Sequence, residues 1–207
     1  SYITFDILGG DLTQSTGNAR DLINSVLSSL NSIVANSWNG YYNALYQVNN
    51  VISIVEDLPE SDLRNLIIGE AHYFRAYIYH SLVTRWGGVP IQRVNTMDKP
   101  FRDSEEAVWA FIEEELETAL AFLGTSSSCY YVSRDAALAL KARVMLERGK
   151  KTEAAALAEG LIKDGKYKLD SFDKIFRGKT NTEVIFSFQC LAEESNITIS
   201  TLFYTYA

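Results

Sequence analysis

Hydrophobic positions recur at helical spacing along most of the chain, and the clearest run lies between residues 69 and 86. Large apolar side chains there follow the i, i+4 and i+8 spacing that places residues on one face of a helix. Gly87 and Gly88 can supply the left-handed residue that commonly ends a helix, and Pro90 prevents its continuation. The pattern therefore predicts a helix that ends abruptly at Trp86.

The same periodicity predicts a succession of helices separated by polar loops. Ser61 and Ser104 stand where side-chain N-caps are expected. The predicted helices cover residues 21–35, 37–56, 61–86, 104–123, 133–148 and 151–163. Residues 1–20, 87–103 and 124–131 are predicted loops, with a short extended piece at 89–94, and the alternation over 182–190 predicts a short strand or extended segment. The predicted fold class is mainly all-α, with long loops and little β structure.

Small residues suggest how the later helices pair. Ala142, Ala154 and Ala158 fall at the small-residue positions of a tetratricopeptide (TPR) unit, a helix–turn–helix of about 34 residues. We therefore predict one TPR-like unit at about 135–169 and a more divergent helix pair at about 61–123. Both would belong to one helical domain spanning residues 1–207.

Composition narrows the classes of partner. The 207 residues are 47% hydrophobic and carry a formal net charge of −7. This composition argues against nucleic acids and anionic membrane surfaces as partners, because both require clustered Lys and Arg. Twelve Tyr, ten Phe and three Trp would suit either a stacking surface or a core with polar handles. No apolar run reaches the about 18 residues that span a bilayer, and the chain does not open with a signal-peptide pattern.

The sequence carries no catalytic or cofactor-binding motif: a GxSxG elbow, a phosphate-binding glycine loop and a CxxC pair are all missing. His72 and His80 would lie about 12 Å apart along one helix, so they cannot share a metal ion, and a surface or core-edge position is expected for each. Cys129 and Cys190 have no metal-ligand spacing and are predicted to be buried or incidental rather than paired. No metal, no cofactor and no catalytic residue is predicted.

Charged residues within the helices have structural interpretations. Glu70 and Arg75 interrupt an apolar helix, and each is expected to pair with a neighbouring helix or loop backbone. The acidic run 113–115 is predicted to form a solvated face for the most part, although the spacing places Glu115 on the apolar face with Ile112 and Leu116. No two carboxylates stand out as the isolated acid and base that glycoside hydrolysis requires.

Several blocks of sequence resemble one known family. Residues 69–91 read GEA, two residues, FRA, then Leu-Val, then WGGVP. Further blocks follow in the family's order: Trp38 with Tyr42 or Tyr46 and 49–52, Ser104 with 107–109, 112 and 116–119, the helix 136–144, and the segments 165–169 and 181–187. Together, across about 38–190, they resemble the SusD/RagB family of nutrient-binding outer-membrane lipoproteins.

This resemblance implies a fold, a function and a location. It covers only the N-terminal, helical-repeat portion, since SusD-like proteins usually run to more than twice this length. It implies a non-enzymatic protein at the cell surface that captures oligosaccharide, or peptide in some relatives. The implied partner is a SusC-like TonB-dependent outer-membrane transporter. The implied signal sequence and lipid-bearing Cys would lie upstream of Ser1.

The candidate ligand-binding residues come from two loop regions. The first mixes polar side chains with a nearby tryptophan and supplies Asp11, Arg20, Asn36, Trp38 and Asn39. The second is the tyrosine pair Tyr130 and Tyr131 in a polar loop. The alternative for Trp38 is that it anchors its own helix in the core.

Two functions of other classes remain open at this stage. One is an intracellular TPR adaptor that binds a peptide in its groove, supported only by the alanine spacing. The other is an all-α glycosidase, which would require two carboxylates opposed across a cleft.

Overall fold

The computed structural model describes residues 19–24, 26, 28–126, 128–177 and 181–189. These residues form seven helices in chain order: α1 Ala19–Ile23, α2 Ser32–Glu56, α3 Asp62–Trp86, α4 Glu105–Phe122, α5 Arg134–Glu147, α6 Lys151–Lys163 and α7 Phe172–Arg177. The described part of the chain contains no β-strand. The prediction of a mainly all-α fold is confirmed.

The chain divides into two compact units. The first consists of Ser1–Leu123 together with Glu147–Gly149, and the second of Gly124–Leu146 and Lys150–Ala207. The grouping predicted from the alanine spacing, a TPR-like unit at 135–169 and a divergent pair at 61–123, stays a prediction.

Helix α3 is the centre of the first unit. It packs against both α2 and α4. Thirteen of its 25 residues are buried, which is far more than the single apolar stripe of a surface helix. The apolar core around it includes the fully buried side chains of Leu45, Tyr79, Leu82, Val108, Ile112 and Leu116.

Side chains and one glycine set the ends of these helices as the sequence predicts. Ser61 Oγ accepts a hydrogen bond of 3.1 Å from the Arg64 amide, and Ser104 Oγ accepts one of 3.2 Å from the Ala107 amide. Each bond satisfies one of the amides that a helix leaves unpaired at its first turn. At the other end of α3, Gly87 adopts a φ of 67°, which a residue with a Cβ rarely does.

Removing the Ser104 cap should lower the stability measurably, and a different capping side chain should restore it. We expect Ser104→Ala to lower the free energy of unfolding by about 1 kcal/mol, because the Ala107 amide loses its acceptor. Urea denaturation followed by circular dichroism measures this difference. Ser104→Asp, which keeps an acceptor oxygen at the N-cap, should restore most of the loss. An equal loss in both variants would contradict the capping role.

The predicted helix 21–35 is wrong. Helix α1 ends at Ile23 and α2 begins at Ser32. Asn31 has an extended backbone, and its Oδ1 accepts a hydrogen bond of 3.0 Å from the Ile33 amide, so it caps a new helix. Leu30, one of the apolar residues within the predicted range, is 91% exposed.

The end of the described chain decides one of the two alternatives predicted for 182–190. Residues 181–189 contain no strand, so the strand alternative is excluded. The Thr182 carbonyl accepts a 2.9 Å bond from the Lys168 amide, and the Ser187 amide donates a 2.9 Å bond to the Cys129 carbonyl. Isolated bonds of this kind to two different segments do not make the regular ladder that defines a strand. Residues 89–94 form no strand either.

Candidate functional site

Four aromatic rings gather where the first turns of α2 meet the end of α3; we call Trp38, Tyr41, Tyr42 and Trp86 the aromatic cluster. The Trp38 ring centroid lies 4.9 Å from that of Tyr42 and 5.4 Å from that of Trp86, the latter pair meeting edge to face at 84°. Tyr41 meets Trp86 at 6.0 Å, and the guanidinium carbon of Arg85 lies 5.6 Å above the Tyr41 ring. Contacts of this geometry contribute about 0.5–1.5 kcal/mol per pair.

Two tyrosines connect this region to the loop that follows α3. The Tyr42 hydroxyl donates a 2.9 Å hydrogen bond to the Pro90 carbonyl. The Tyr79 hydroxyl accepts a 2.6 Å bond from the Gln92 amide and donates to the Pro90 carbonyl at 3.3 Å. Burial raises the pKa of Tyr79 to about 12 and raises that of Tyr42 further above its ordinary value. Both phenols therefore stay protonated near neutral pH and act as structural donors.

Beside the aromatic cluster lies a cleft of about 400 Å³, which we call the Trp38 cleft. It is lined by Trp38, Trp86, Gly88, Pro90, Pro100 and Arg102. Arg102 donates from Nε to the Gly88 carbonyl at 2.7 Å and from Nη2 to the Trp86 carbonyl at 3.0 Å. It thereby satisfies a carbonyl at the end of α3 and fixes the position of the loop. No carboxylate is among the described residues that line this cleft.

The predicted ligand residues of the first loop region fall in different places. Trp38 is half-buried and lines the cleft. Asn36 and Asn39 are exposed on the first turns of α2, and Arg20 is exposed on α1. Asp11 lies outside the described residues. Their role in ligand binding stays a prediction.

The tyrosine pair belongs to the second unit. Tyr130 is 41% exposed and lines a pocket of about 370 Å³ there, whereas the 63% exposed Tyr131 does not line it. Cys129, which also lines this pocket, is half-buried, and Cys190 lies outside the described residues. The expectation that the two cysteines do not pair therefore stays a prediction.

Helices α2, α3 and α4 meet at a buried group of polar side chains, which we call the ion cluster: Glu115, Arg75, His72 and Asn49. Arg75 donates to both carboxylate oxygens of Glu115, at 2.6 and 2.8 Å, and His72 Nδ1 lies 2.8 Å from Oε2. Arg75 also donates to Asn49 Oδ1 at 3.2 Å and to the Arg93 carbonyl at 3.0 Å. The prediction that Arg75 pairs with a neighbouring helix and loop backbone is confirmed.

The ion cluster is sealed from solvent. Glu115 is 2% exposed and Arg75 is 5% exposed. Burial alone would raise the pKa of Glu115, but the hydrogen bonds from His72 and Arg75, with the guanidinium charge, outweigh it and hold that pKa below its ordinary value. A sealed carboxylate of this kind stabilises the fold and has no access to a ligand.

One sequence prediction is confirmed here and one needs correction. Glu115 is buried, as its place on the apolar face of the predicted helix indicates, whereas Glu114 is exposed and forms an ion pair with Arg93 at 2.6 Å. Both histidines are buried: His72 contacts Glu115, and His80 Nε2 lies 2.7 Å from Glu147 Oε2. In each case a carboxylate from another helix provides the partner that makes burial of the polar ring favourable.

Sequence reasoning did not select Trp86 or Arg102 as part of a site. For Trp86 a signal existed, because a tryptophan directly before Gly-Gly stands at the end of a helix, beside the loop that follows. For Arg102 there was none, since its bonds to Trp86 and Gly88 span 16 and 14 residues and depend on how the loop folds back.

The described residues contain no cluster of His, Cys, Asp and Glu that could hold a metal ion. None of the helices described above combines the length and apolar character that a bilayer-crossing helix requires.

Comparison with known proteins gives consistent matches. The family model SusD-like, described as starch-binding and associating with the outer membrane, matches residues 3–146, well over half of the chain. A SusD-like protein of Formosa agariphila is 29% identical over 166 residues, which is 77% of this chain and 32% of that protein.

Solved structures agree on the fold. A structure with xylogluco-oligosaccharide has a TM-score of 0.81 at 24% identity, covering 92% of this chain and 43% of that one. A laminarin-binding SusD-like protein has a TM-score of 0.73 at 22% identity, covering 82% and 40%. The chain spans about a quarter to a third of the length of the curated relatives it matches.

Proposed function

This chain belongs to the SusD-like family, and from that premise we propose that it is the helical portion of a glycan-binding protein that captures oligosaccharide at the surface of the outer membrane. We further propose that the captured ligand passes to a SusC-like TonB-dependent transporter, and that the protein is held at the membrane by a lipid anchor. The names of its relatives support a carbohydrate ligand, since two of the solved structures concern xylogluco-oligosaccharide and laminarin.

The observation that carries this proposal is the Trp38 cleft. Two indole rings and two proline rings form much of its wall, and Arg102 adds a guanidinium beside them. Sugar rings have apolar C–H faces that stack on aromatic rings, while their hydroxyls need hydrogen-bonding partners such as Arg and Asn. Asn36, Asn39, Arg20 and Asp11 are proposed as further polar partners for these hydroxyls.

We propose binding without chemical conversion. Hydrolysis of a glycosidic bond generally requires two carboxyl groups that flank it. No carboxylate lines the Trp38 cleft among the described residues, and Glu115 is sealed in the ion cluster. The phenol of Tyr42 has a raised pKa because of burial, so it does not provide a base near neutral pH.

Isothermal titration of the protein against plant, host and microbial oligosaccharides tests the proposal. We expect one glycan class to bind, and Trp38→Leu to weaken that binding by about tenfold, because leucine keeps an apolar side chain but removes the flat ring on which a sugar stacks. Thermal unfolding followed by circular dichroism establishes that the variant remains folded.

Tyr46→Ala is the matched control, because Tyr46 is an exposed aromatic on the same helix that does not line the cleft. Its affinity should equal that of the unchanged protein. Equal weakening by both variants would contradict a site at Trp38, and binding of a peptide instead of any glycan would replace the carbohydrate in the proposal.

A further inference from the structure

The pocket of the second unit has a polar lining of its own and shares no lining residue with the Trp38 cleft. Three segments surround it: the loop that contains Tyr130, residues 166–167, and residues 181–185. Its volume of about 370 Å³ lies at the lower end of the range for small-molecule sites, which is about 300–1,000 Å³. The space therefore suits one compact ligand and not an extended chain.

Hydrogen bonds to the backbone fix the polar side chains of this pocket. Asn181 Oδ1 accepts from the amides of Glu183 at 3.1 Å and Val184 at 2.7 Å. Ser128 Oγ accepts from the Tyr130 amide at 3.2 Å. Within the described part of the chain, the Asn181 side-chain amide and the Ser128 and Tyr130 hydroxyls have no hydrogen-bond acceptor. The pocket thus contains two side chains fixed by these bonds, Asn181 and Ser128, and the exposed Tyr130 hydroxyl, and the hydrogens of all three remain available to a ligand.

The positive charge of Lys166 in the pocket lining is balanced by an adjacent carboxylate. Lys166 Nζ donates to Asp135 Oδ2 at 2.7 Å, and the Tyr167 hydroxyl donates to the same oxygen at 2.8 Å. The bond to Asp135 raises the pKa of Lys166, so the ammonium is charged and already paired with an adjacent carboxylate. A neutral ligand is therefore favoured over an anion, for which an unpaired cation would be expected.

The remaining surface is apolar. Val184 and Ile185 contribute half-buried aliphatic side chains, and Tyr130 contributes an exposed ring. A site with an aromatic ring, an aliphatic wall and several fixed hydrogen-bond donors matches a pyranose, which has C–H faces and a rim of hydroxyl and ring oxygens.

We propose that this pocket is a second carbohydrate subsite, distinct from the Trp38 cleft, that binds a single monosaccharide unit on Tyr130, Ser128 and Asn181. The ligand class rests on the proposed glycan-binding function, whereas the place of the subsite rests on the pocket itself. Two subsites in one protein would allow branched or long glycans to be held at two points, which increases overall affinity without a new contact at either.

Amide NMR spectra of the isotope-labelled protein test this subsite. The protein is titrated with the methyl glycosides of glucose, galactose, mannose and xylose, and the shifts of its amide signals are followed. We expect one glycoside to shift the amides of residues 128–133 and 181–185. Tyr130→Ala should weaken this binding by about tenfold through loss of the ring. Asn181→Asp should weaken it too, because it keeps the acceptor for the Glu183 and Val184 amides but removes the donor.

Tyr131→Ala is the matched control, since the neighbouring ring is exposed but outside the pocket, and Trp38→Leu should leave these shifts unchanged. Shifts near Trp38 without shifts at the pocket would overturn the subsite and leave the proposed function standing. If neither the methyl glycosides nor the oligosaccharides shift amides at the pocket or near Trp38, both the subsite and the proposed function are overturned. Pocket shifts that persist unchanged in Tyr130→Ala and Asn181→Asp would also overturn the assignment.

Discussion

A protein carrying Glu115→Ala is expected to lose about 3–5 kcal/mol of its free energy of unfolding. Glu115 neutralises Arg75, which is itself only 5% exposed, through a bidentate contact at 2.6 and 2.8 Å. Without the carboxylate the guanidinium is left buried and unpaired, and His72 also loses its partner. Urea denaturation measures the loss, which is a large fraction of the stability of an ordinary domain.

Glu114→Ala is the control for this experiment because it removes the adjacent carboxylate from the same helix. Glu114 and Arg93 form their ion pair at the surface, with side chains 55% and 53% exposed, and such pairs contribute about 0–1 kcal/mol. Similar losses in the two variants would contradict the argument that burial of the ion cluster determines its energy.

The same cluster sets an acid limit on stability. Because the folded protein holds the pKa of Glu115 below its ordinary value, its stabilising contribution is fully present above the unfolded pKa of about 4.3. That contribution is lost as the pH falls from there through the folded pKa. Glu115→Gln lacks this titration, so its free energy of unfolding should fall less steeply than that of the unchanged protein below about pH 4.3.

Gly88→Ala is expected to lower the free energy of unfolding by about 3 kcal/mol and to disturb the Trp38 cleft. A Cβ at this position would lie 2.2 Å from the Asp103 carbonyl oxygen and 3.1 Å from the Glu105 amide nitrogen. Both are backbone atoms, so relief requires the loop to move away from α4. The Gly88 carbonyl, which accepts from Arg102, would move with it. Denaturation and glycan titration together measure the two effects.

Gly40→Ala is the control for this experiment and is expected to have the opposite effect on stability. A Cβ there meets nothing within 4 Å, and the residue lies inside α2. Alanine should raise the free energy of unfolding by about 0.5–1 kcal/mol, because glycine loses more backbone freedom in a helix. If both variants lost stability equally, close packing at Gly88 would not be the explanation.

Features fixed by nearby residues were predictable from the sequence. Ser61 and Ser104 cap the helices that their positions indicated, and α3 ends at Trp86 before a glycine of positive φ. The apolar spacing over 21–35 failed because periodicity does not register a competing cap, and Asn31 starts a new helix. The alternation over 182–190 left a strand or an extended segment open. The strand is excluded for the described residues because they make only isolated backbone bonds and no regular ladder.

The candidate sites were predictable only in part, for a related reason. Trp38 stood out as a tryptophan near polar loop residues, and the structure places it in a cleft. Other parts of its lining come from Trp86 and Arg102, which are 48 and 64 positions farther along the chain. The helical spacing placed Glu115 on the same face as Ile112 and Leu116, and it is buried there, but the spacing did not identify its ion-pair partner. Its true setting depended on Arg75, a residue of another helix.

The loop 87–103 has a consequence for how this protein opens. Side chains from the surrounding helices and from Asp103 bind its backbone at Pro90, Ile91, Gln92 and Arg93 in succession. Residues 90–93 of this loop cannot open locally, as most loops do, unless bonds to α2 and α3 break at the same time. They unfold as one cooperative unit with the helices. The loop residues beside the cleft therefore lose their conformational freedom when the protein folds. Binding of a ligand then costs little additional conformational entropy.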